Sequence, residues 1–350
     1  LGISPYDALL DEFDPGTRSA DIDPLFDGLD IFLPEFLQQV KEVQSSGRQP
    51  EPLNGSFAVA DQRALAERLM NQLGFDFDFG RLDVSHHPFT GGVPDDVRIT
   101  TRYYEDDFTQ SLMGVLHETG HALYERGLPS QWRHQPVGTA RGMTMHESQS
   151  LIIEMLACRS EEFVRYLTPL VKETFGGSGP AWEAENLVRH YRRVQPGLIR
   201  VDADEVTYPA HVILRYRLEK NLISGDLTVA DLPGAWNEAM QKSLGLTPPD
   251  DRDGVLQDIH WPSGAFGYFP TYTLGAMAAA QLFDAAQNDN DAVVIGLEHG
   301  DFGPLLSWLR THVHALGSLM STQDLMVRAT KKPLDVEVYK AHLTRRYLGG

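Results

Sequence analysis

The segment VLHETGHALYERG, residues 115–127, contains two histidines four residues apart, with a glutamate directly after the first. Residues four apart lie on one face of an α-helix, about one turn from each other, so His117 and His121 can present two imidazole nitrogens to one metal ion. Glu118 projects about 100° away from His117, near enough to reach a metal-bound water without binding the ion. The pattern predicts metal-assisted hydrolysis, in which the metal polarises a water and Glu118 transfers its proton.

The residues around this motif predict a helix from about 109 to 126. Leu116 and Leu123 belong to an apolar face that recurs at three- and four-residue steps. Gly127 suits the left-handed position after a helix, and Pro129 blocks continuation. The histidine motif is therefore expected on a helix with one buried face.

Helix is also the main prediction for the rest of the chain, because apolar residues recur with the helical period in most segments. One such segment, DQRALAERLMNQLG, ends at Gly74, a helix-ending signal. The other predicted helices cover residues 144 to beyond 165, 181–194, 208–223, 233–243, 272–287 and 336–347.

One segment alternates with the period of a β-strand. In DVRITTRYYE, Val97 and Ile99 alternate with polar residues such as Arg98, as a half-buried strand requires. The free edge of this strand is a candidate for hydrogen bonding to an extended peptide. Residues 74–95 are rich in Gly, Pro and Asp and are predicted to be a loop. The sequence thus predicts a mainly α-helical domain with a small β-sheet.

The composition excludes several classes of partner. The formal charge of −19 repels nucleic acid and anionic membranes, and no Lys/Arg-rich run reverses it locally. No apolar run approaches the length of a membrane span, and the first residues do not resemble a signal peptide. A single cysteine, Cys158, fits a reducing compartment, so a cytoplasmic protein is expected.

A zinc site of this kind needs a third protein ligand, and the segment MTMHESQSLIIEML offers two carboxylates. Glu147 and Glu154 are both available on a second helix, and their spacing does not choose between them. Thr144 and Glu147 also form a capping-box pattern, in which Glu147 would only satisfy a backbone N–H at the helix start.

Six short motifs follow one another along residues 87–261. In order they are His87-Pro88-Phe89, Asp96-Val97-Arg98-Ile99-Thr100, His117-Glu118-Thr119-Gly120-His121, His146-Glu147-Ser148-Gln149, Ile199-Arg200-x-x-Ala203-Asp204 and Gly254-x-x-Gln257-Asp258-x-His260-Trp261.

This order resembles the thermostable carboxypeptidases of the Taq type, peptidase family M32. The resemblance implies that Glu147 is the third metal ligand and that the ion is Zn²⁺, although these donors also accept Co²⁺ or Mn²⁺. It implies a helical zincin of the gluzincin type, shaped like a saddle with a deep active-site groove, in a homodimer. Residues 1–350 would form one catalytic domain that lacks part of the usual N-terminal helical region.

The same resemblance implies removal of C-terminal residues, one at a time and with broad specificity, from peptides with a free C-terminus. Arginine binds a terminal carboxylate well because its planar fork donates two parallel hydrogen bonds. The resemblance points to Arg200, with Arg98 as second choice. The alternative for Arg200 is a salt bridge to Asp202 or Asp204.

Negative charge that develops on the substrate carbonyl oxygen requires hydrogen-bond donors opposite the metal. The resemblance supports His260, and either Tyr268 or Tyr272 follows closely enough to assist. We favour Tyr268 as catalytic and Tyr272 as substrate-binding, whereas the alternative is that these aromatics belong to the core. His87 is a candidate to support the site and Asp258 a candidate to orient His260, whereas the default for isolated positions of this kind is a structural role.

Two other functions are compatible with the sequence. One is a noncatalytic or truncated relative that keeps the metal helix for stability, and the other is a helical endo-oligopeptidase.

Overall fold

The computed structural model describes residues 2–349, which form fourteen α-helices and one three-stranded sheet. The elements are α1 (Pro5–Phe13), α2 (Ser19–Ser46), α3 (Val59–Gln72), β1 (Gly80–Val84), β2 (Phe89–Val93), β3 (Asp96–Thr101), α4 (Phe108–Gly127), α5 (Met143–Leu151), α6 (Glu161–Phe175), α7 (Ala184–Tyr191), α8 (Tyr208–Ser224), α9 (Leu232–Leu244), α10 (Pro270–Asp289), α11 (Ala292–Glu298), α12 (Gly303–His312), α13 (Thr322–Thr330) and α14 (Val336–Leu348).

The predicted mainly helical fold is confirmed, and the motif helix is α4. The side chains of Val115 and Leu116 in this helix are fully buried, as the apolar periodicity predicted. Gly127 is the last helical residue and Leu128 is the C-cap, so Gly127 is not the left-handed residue beyond the helix. Helix α2 was not predicted, because Pro24 and Pro34 interrupt its pattern, yet it packs against α8 and α14.

The loop predicted for residues 74–95 is wrong, because β1 and β2 lie within it. Both strands pair with β3, β1 in parallel and β2 antiparallel, so β3 is the central strand of the sheet. The predicted free edge of β3 is therefore wrong as well. Gly and Asp residues gave β1 and β2 little strand propensity, and pairing with β3 supplies their order.

The continuous helix predicted from residue 144 to beyond 165 is interrupted. After α5 the chain widens into a π-helical segment, Ile152–Ala157, and α6 begins after Ser160. π-Helical turns are rare and are frequently found at functional sites. This segment contains Glu154.

Helix α10 lies between two apolar clusters that form the core. Ala279 and Leu282 belong to a cluster that includes α4 and the sheet. Leu274 and Met277 belong to a second cluster with α2, α8 and α9. Since α10 contributes to both, it holds the motif helix and the second half of the chain in one packed body. Among the described residues, no helix combines the length and apolar character that crossing a membrane requires.

Candidate active site

Three side chains from two helices converge on one point. His117 and His121 of α4 and Glu147 of α5 present donor atoms that all lie within 4.8 Å of one another. The Oε2 atom of Glu147 is 3.8 Å from the Nε2 atom of His117 and 3.5 Å from that of His121. Donors around a tetrahedral zinc ion with ligand bonds of about 2.0–2.1 Å lie roughly 3.3–3.5 Å apart. The three residues therefore fit a divalent metal ion and leave a fourth position for another ligand.

A close helix crossing brings Glu147 to the histidines. A Cβ atom on Gly120 would lie 2.6 Å from the Cα atom of Ser150, so only glycine allows α5 to approach α4 this closely. The N-cap of α5 is Gly142, which places Thr144 inside the helix. Glu147 therefore does not act in a capping box and projects toward the histidines.

Each histidine is held by a second partner at its Nδ1 atom. The Nδ1 atom of His117 is 2.9 Å from Glu154, which also pairs with Arg159. The Nδ1 atom of His121 is 2.7 Å from the Nδ1 atom of His146. Such contacts fix the ring so that Nε2 faces the metal position.

His146 is itself held by Glu125, whose carboxylate lies 2.8 Å from its Nε2 atom. His146 stands in one of the six motifs, but no role was predicted for it, and Glu125 was not predicted at all. Glu125 lies four residues after His121, so helical spacing from the motif was the signal that pointed to it.

The electrostatics of the cluster favour a cation. Although burial opposes protonation, the carboxylates of Glu147 and Glu154 raise the pKa of His117 to about 10. Burial raises the pKa of Glu147, but the two histidines outweigh it and lower the pKa overall. Burial and the neighbouring His146 and His117 lower the pKa of His121, so only the His117 side of the cluster stabilises a proton. The carboxylates supply the negative charge that binding of a divalent ion requires.

Glu118 is buried, with 7% of its surface exposed, and is held by the sheet. The Thr90 hydroxyl lies 2.6 Å from the Oε2 atom of Glu118 and 2.9 Å from its carbonyl oxygen. Thr90 is on β2, in the segment for which the sequence predicted a loop. No sequence signal identified it, because its position depends on how the sheet packs on α4.

His260, Tyr268 and Tyr272 lie together at the start of α10. The Nε2 atom of His260 is 3.0 Å from the hydroxyl of Tyr272, and the two tyrosine rings are 5.2 Å apart. A Cβ atom on Gly275, one turn after Tyr272, would lie 2.7 Å from the Cβ atom of Glu147. The three residues therefore lie beside Glu147 of the candidate metal site.

Both phenols remain protonated. Burial raises the pKa of Tyr272 to about 12, and burial also raises that of Tyr268, with Glu147 contributing to both increases. Burial and the charge of Arg200 lower the pKa of His260 to about 4, so its ring is neutral near pH 7. The two tyrosines can therefore donate hydrogen bonds, and neither they nor His260 carries a charge near pH 7.

Arg200 does not form the salt bridge to Asp202 or Asp204 that was its alternative. Its guanidinium pairs with Asp258 at 2.7 Å and donates to the hydroxyl of Tyr208 at 2.9 Å. Asp258 lies 3.9 Å from the Nδ1 atom of His260, too far for a hydrogen bond that would orient the ring.

A second arginine shares the same carboxylate. The Nε atom of Arg215, which is fully buried, donates to Asp258 at 2.7 Å. Together the two arginines lower the pKa of Asp258 to about 2, despite its burial. Two cations and one anion leave a net charge of +1, and the guanidinium of Arg200 lies 4.7 Å from the centre of the Tyr272 ring.

Arg98 and His87 lie apart from these groups. Thr90 is paired in register with Ile99, and Arg98 with Gly91, so Arg98 points to the sheet face opposite Thr90 and α4. Its side chain is 56% exposed and pairs with Asp96. The side chain of His87 is exposed, and its carbonyl accepts a hydrogen bond from Thr100.

A helical fold in which an HExxH helix and a second-helix glutamate form a three-ligand metal cluster defines a metallopeptidase of the zincin type. The family described as Carboxypeptidase Taq (M32) metallopeptidase matches residues 1–347. The chain belongs to this family, and it is a metallocarboxypeptidase by class.

Relatives and solved structures agree with this assignment. "Thermostable carboxypeptidase 1" of Thermus thermophilus is 42% identical over 345 residues, which cover 98% of this chain and 67% of the relative. "Carboxypeptidase 1" of Bacillus subtilis is 39% identical over 349 residues, which cover 98% and 68% of the two chains. The solved structure "Trypanosoma Cruzi Metallocarboxypeptidase 1" is 44% identical, with a TM-score of 0.96 over 99% of this chain and 73% of that one. This chain spans about two thirds of the length of the two relatives.

Proposed function

We propose that this chain is a zinc-dependent carboxypeptidase that removes C-terminal residues one at a time, with broad specificity, from peptides with a free C-terminus. One observation carries the proposal. The three-residue metal cluster of His117, His121 and Glu147 adjoins a cationic group, Arg200 with its partner arginine, through the ring of Tyr272. A hydrolytic centre beside a fixed positive charge suits a bond next to a terminal carboxylate.

His117, His121 and Glu147 would hold the ion, and Glu154 and His146 would keep the two histidine rings in place. A bound Zn²⁺ supplies Lewis acidity and lowers the pKa of a water molecule. Glu118 accepts a proton from the attacking water and passes it to the leaving amine. The hydroxyl of Thr90 keeps the carboxylate of Glu118 in one orientation for both transfers.

His260 and the two tyrosines stabilise the charge that develops on the substrate carbonyl oxygen. Because Tyr268 and Tyr272 stay protonated, either O–H can donate to that oxygen. We assign the catalytic donor to Tyr268 and substrate binding to Tyr272. Their partly buried surroundings strengthen such hydrogen bonds by excluding water.

Arg200 binds the terminal carboxylate of the peptide. A guanidinium has five N–H groups. The hydrogen bonds of Arg200 to Asp258 and Tyr208 use one N–H on each of its three nitrogens, so one N–H on each Nη atom remains. Asp258 fixes the plane of the guanidinium, and Arg215 offsets the negative charge of Asp258. The remaining pair of donors matches the two oxygens of a carboxylate.

A metal-dependence assay tests the central claim. The metal-free protein should not release C-terminal residues from an unblocked peptide, and addition of Zn²⁺ should restore release, with Co²⁺ and Mn²⁺ tested in parallel. A chain that binds zinc but never turns over such a peptide would instead be the noncatalytic relative.

Two further measurements test the mechanism. Amidation of the peptide C-terminus should abolish hydrolysis by an exopeptidase that reads the carboxylate, whereas an endo-oligopeptidase would cleave both peptides. Glu118→Gln should lose a factor of roughly 10²–10⁴ in kcat while retaining the metal. Full activity in that variant would disprove the role of Glu118.

A further inference from the structure

Glu219 is a buried carboxylate on α8 outside the groups described above, with 0% of its surface exposed. It accepts three hydrogen bonds. The Trp261 indole N–H donates to its Oε1 atom at 2.8 Å, and the Tyr6 hydroxyl and the Gly267 backbone N–H donate to its Oε2 atom at 2.8 and 3.1 Å.

Trp261 and Gly267 belong to the segment that also contains His260 and Tyr268, the proposed hydrogen-bond donors to the substrate carbonyl oxygen. Residues 259–268, here called the 259–268 loop, connect the Asp258 region to α10. Trp261 directly follows His260, and Gly267 directly precedes Tyr268. The carboxylate of Glu219 therefore holds both ends of the loop, at positions next to His260 and Tyr268.

The third donor, Tyr6, ties the N-terminal helix α1 to the same point. A Cβ atom on Gly267, whose φ is +90°, would lie 2.7 Å from the backbone nitrogen of Leu10, so α1 packs directly on the loop. Phe13, at the end of α1, meets the ring of Tyr268 edge to face at a centroid distance of 5.0 Å. The position of Tyr268 thus depends on α1 as well as on Glu219.

A buried carboxylate loses its hydration, so Glu219 stabilises the fold less than an apolar side chain that only packed would. Burial raises the pKa of Glu219 to about 7, against the opposing effect of the bonds from Trp261, Tyr6 and Gly267. Arg215 of the same helix lowers this pKa, but it is committed to Asp258 and does not pair with Glu219. Buried polar groups of this kind often secure one arrangement of their partners at a cost in stability.

We propose that Glu219 is a positioning residue for peptide hydrolysis, which sets the 259–268 loop so that His260 and Tyr268 face the substrate carbonyl. This inference rests on the proposed function of those two residues. A glutamine at position 219 keeps the volume but offers only one acceptor oxygen. It would leave an N–H group facing either Trp261 or the other two donors.

The experiment compares Glu219→Gln with Asp23→Asn in the zinc-loaded protein. Asp23 is a matched control because it contacts Tyr216 and Lys220 of α8, on either side of Glu219, and does not contact the loop. We expect kcat to fall roughly 10- to 100-fold in Glu219→Gln, with zinc affinity retained, because small misplacements of reacting groups cost rates of this size. Asp23→Asn should keep the wild-type kcat.

Hydrogen–deuterium exchange gives a readout independent of activity. The amides of the 259–268 loop, including Gly267, should exchange faster in Glu219→Gln than in wild type, while those of α4 should not change. Trp261→Phe removes one donor and should produce smaller changes of both kinds. It also serves as the test should Glu219→Gln fail to fold.

Unchanged kcat and unchanged loop exchange in these variants would overturn the proposal. Equal losses of kcat in Asp23→Asn would also overturn it, since the effect would then come from a weakened α8. If wild-type protein shows no peptidase activity, the proposed function fails, and wild-type-like loop exchange in Glu219→Gln would separately refute the positioning role.

Discussion

The hydroxyl of Thr90 lies 2.6 Å from the Oε2 atom of Glu118, which links the edge strand β2 to the motif helix α4. Thr90→Val keeps the shape of the side chain and removes this hydrogen bond. A hydrogen bond to a charged group contributes about 1.5–3 kcal/mol, so we expect kcat to fall roughly tenfold or more with unchanged zinc affinity.

Thr100→Val is the matched control for that measurement. It removes a hydroxyl from the same sheet, but one that donates to the carbonyl of His87 and not to Glu118. Equal losses of kcat in the two variants would show that Thr90 acts through the stability of the sheet.

Arg200→Lys should weaken recognition of the peptide C-terminus. Lysine keeps the charge but loses the planar fork, so kcat/KM for a free-acid peptide should fall about 100-fold. The ratio of kcat/KM for free-acid and amidated peptides is the measurement. If Arg98→Lys lowers this ratio and Arg200→Lys does not, the carboxylate is bound by Arg98 and the assignment is wrong.

Glu154→Gln should weaken metal binding without removing a ligand. The carboxylate of Glu154 holds the Nδ1 atom of His117 at 2.9 Å, and loss of such an orienting charge typically costs 10- to 100-fold in metal affinity. Competition with a chromophoric chelator gives the dissociation constant for zinc. Glu161→Gln, which alters an exposed carboxylate on α6, should leave that constant unchanged. An unaltered constant in Glu154→Gln would contradict the orienting role.

The buried carboxylate of Glu205 should make stability depend on acid pH. Although burial raises its pKa, Arg346 and His342 lower it from 4.5 to about 2 in the folded chain. This lowering of the pKa corresponds to a contribution on the order of 3 kcal/mol at pH values above the unfolded pKa, and the contribution is lost as the pH falls toward 2.

Urea unfolding of wild type and Glu205→Gln at pH 7 and pH 3 measures this contribution. The difference in unfolding free energy between the two proteins should shrink by about 2 kcal/mol at the lower pH. A difference independent of pH would show that Glu205 acts through packing alone.

Local patterns in the sequence were sufficient for the motif helix and its chemistry. The spacing of His117 and His121 predicted two donors on one face, because helical geometry alone fixes that relation. The alternation of Val97 and Ile99 with polar residues predicted β3, because successive side chains of a strand point to opposite faces. Glu147 could be chosen over Glu154 only through the resemblance of the HESQ motif to a family, since spacing left both open.

The packing of whole elements determines which distant groups meet. Strands β1 and β2 have little propensity of their own and exist through pairing with β3, so Thr90 could not be linked to Glu118 from sequence. The ion pair of Arg200 with Asp258 joins positions 58 residues apart, in preference to the nearer Asp202 and Asp204. Short-range geometry is encoded by residue spacing, whereas contacts such as those of Thr90, Arg200 and Glu219 depend on how whole elements pack.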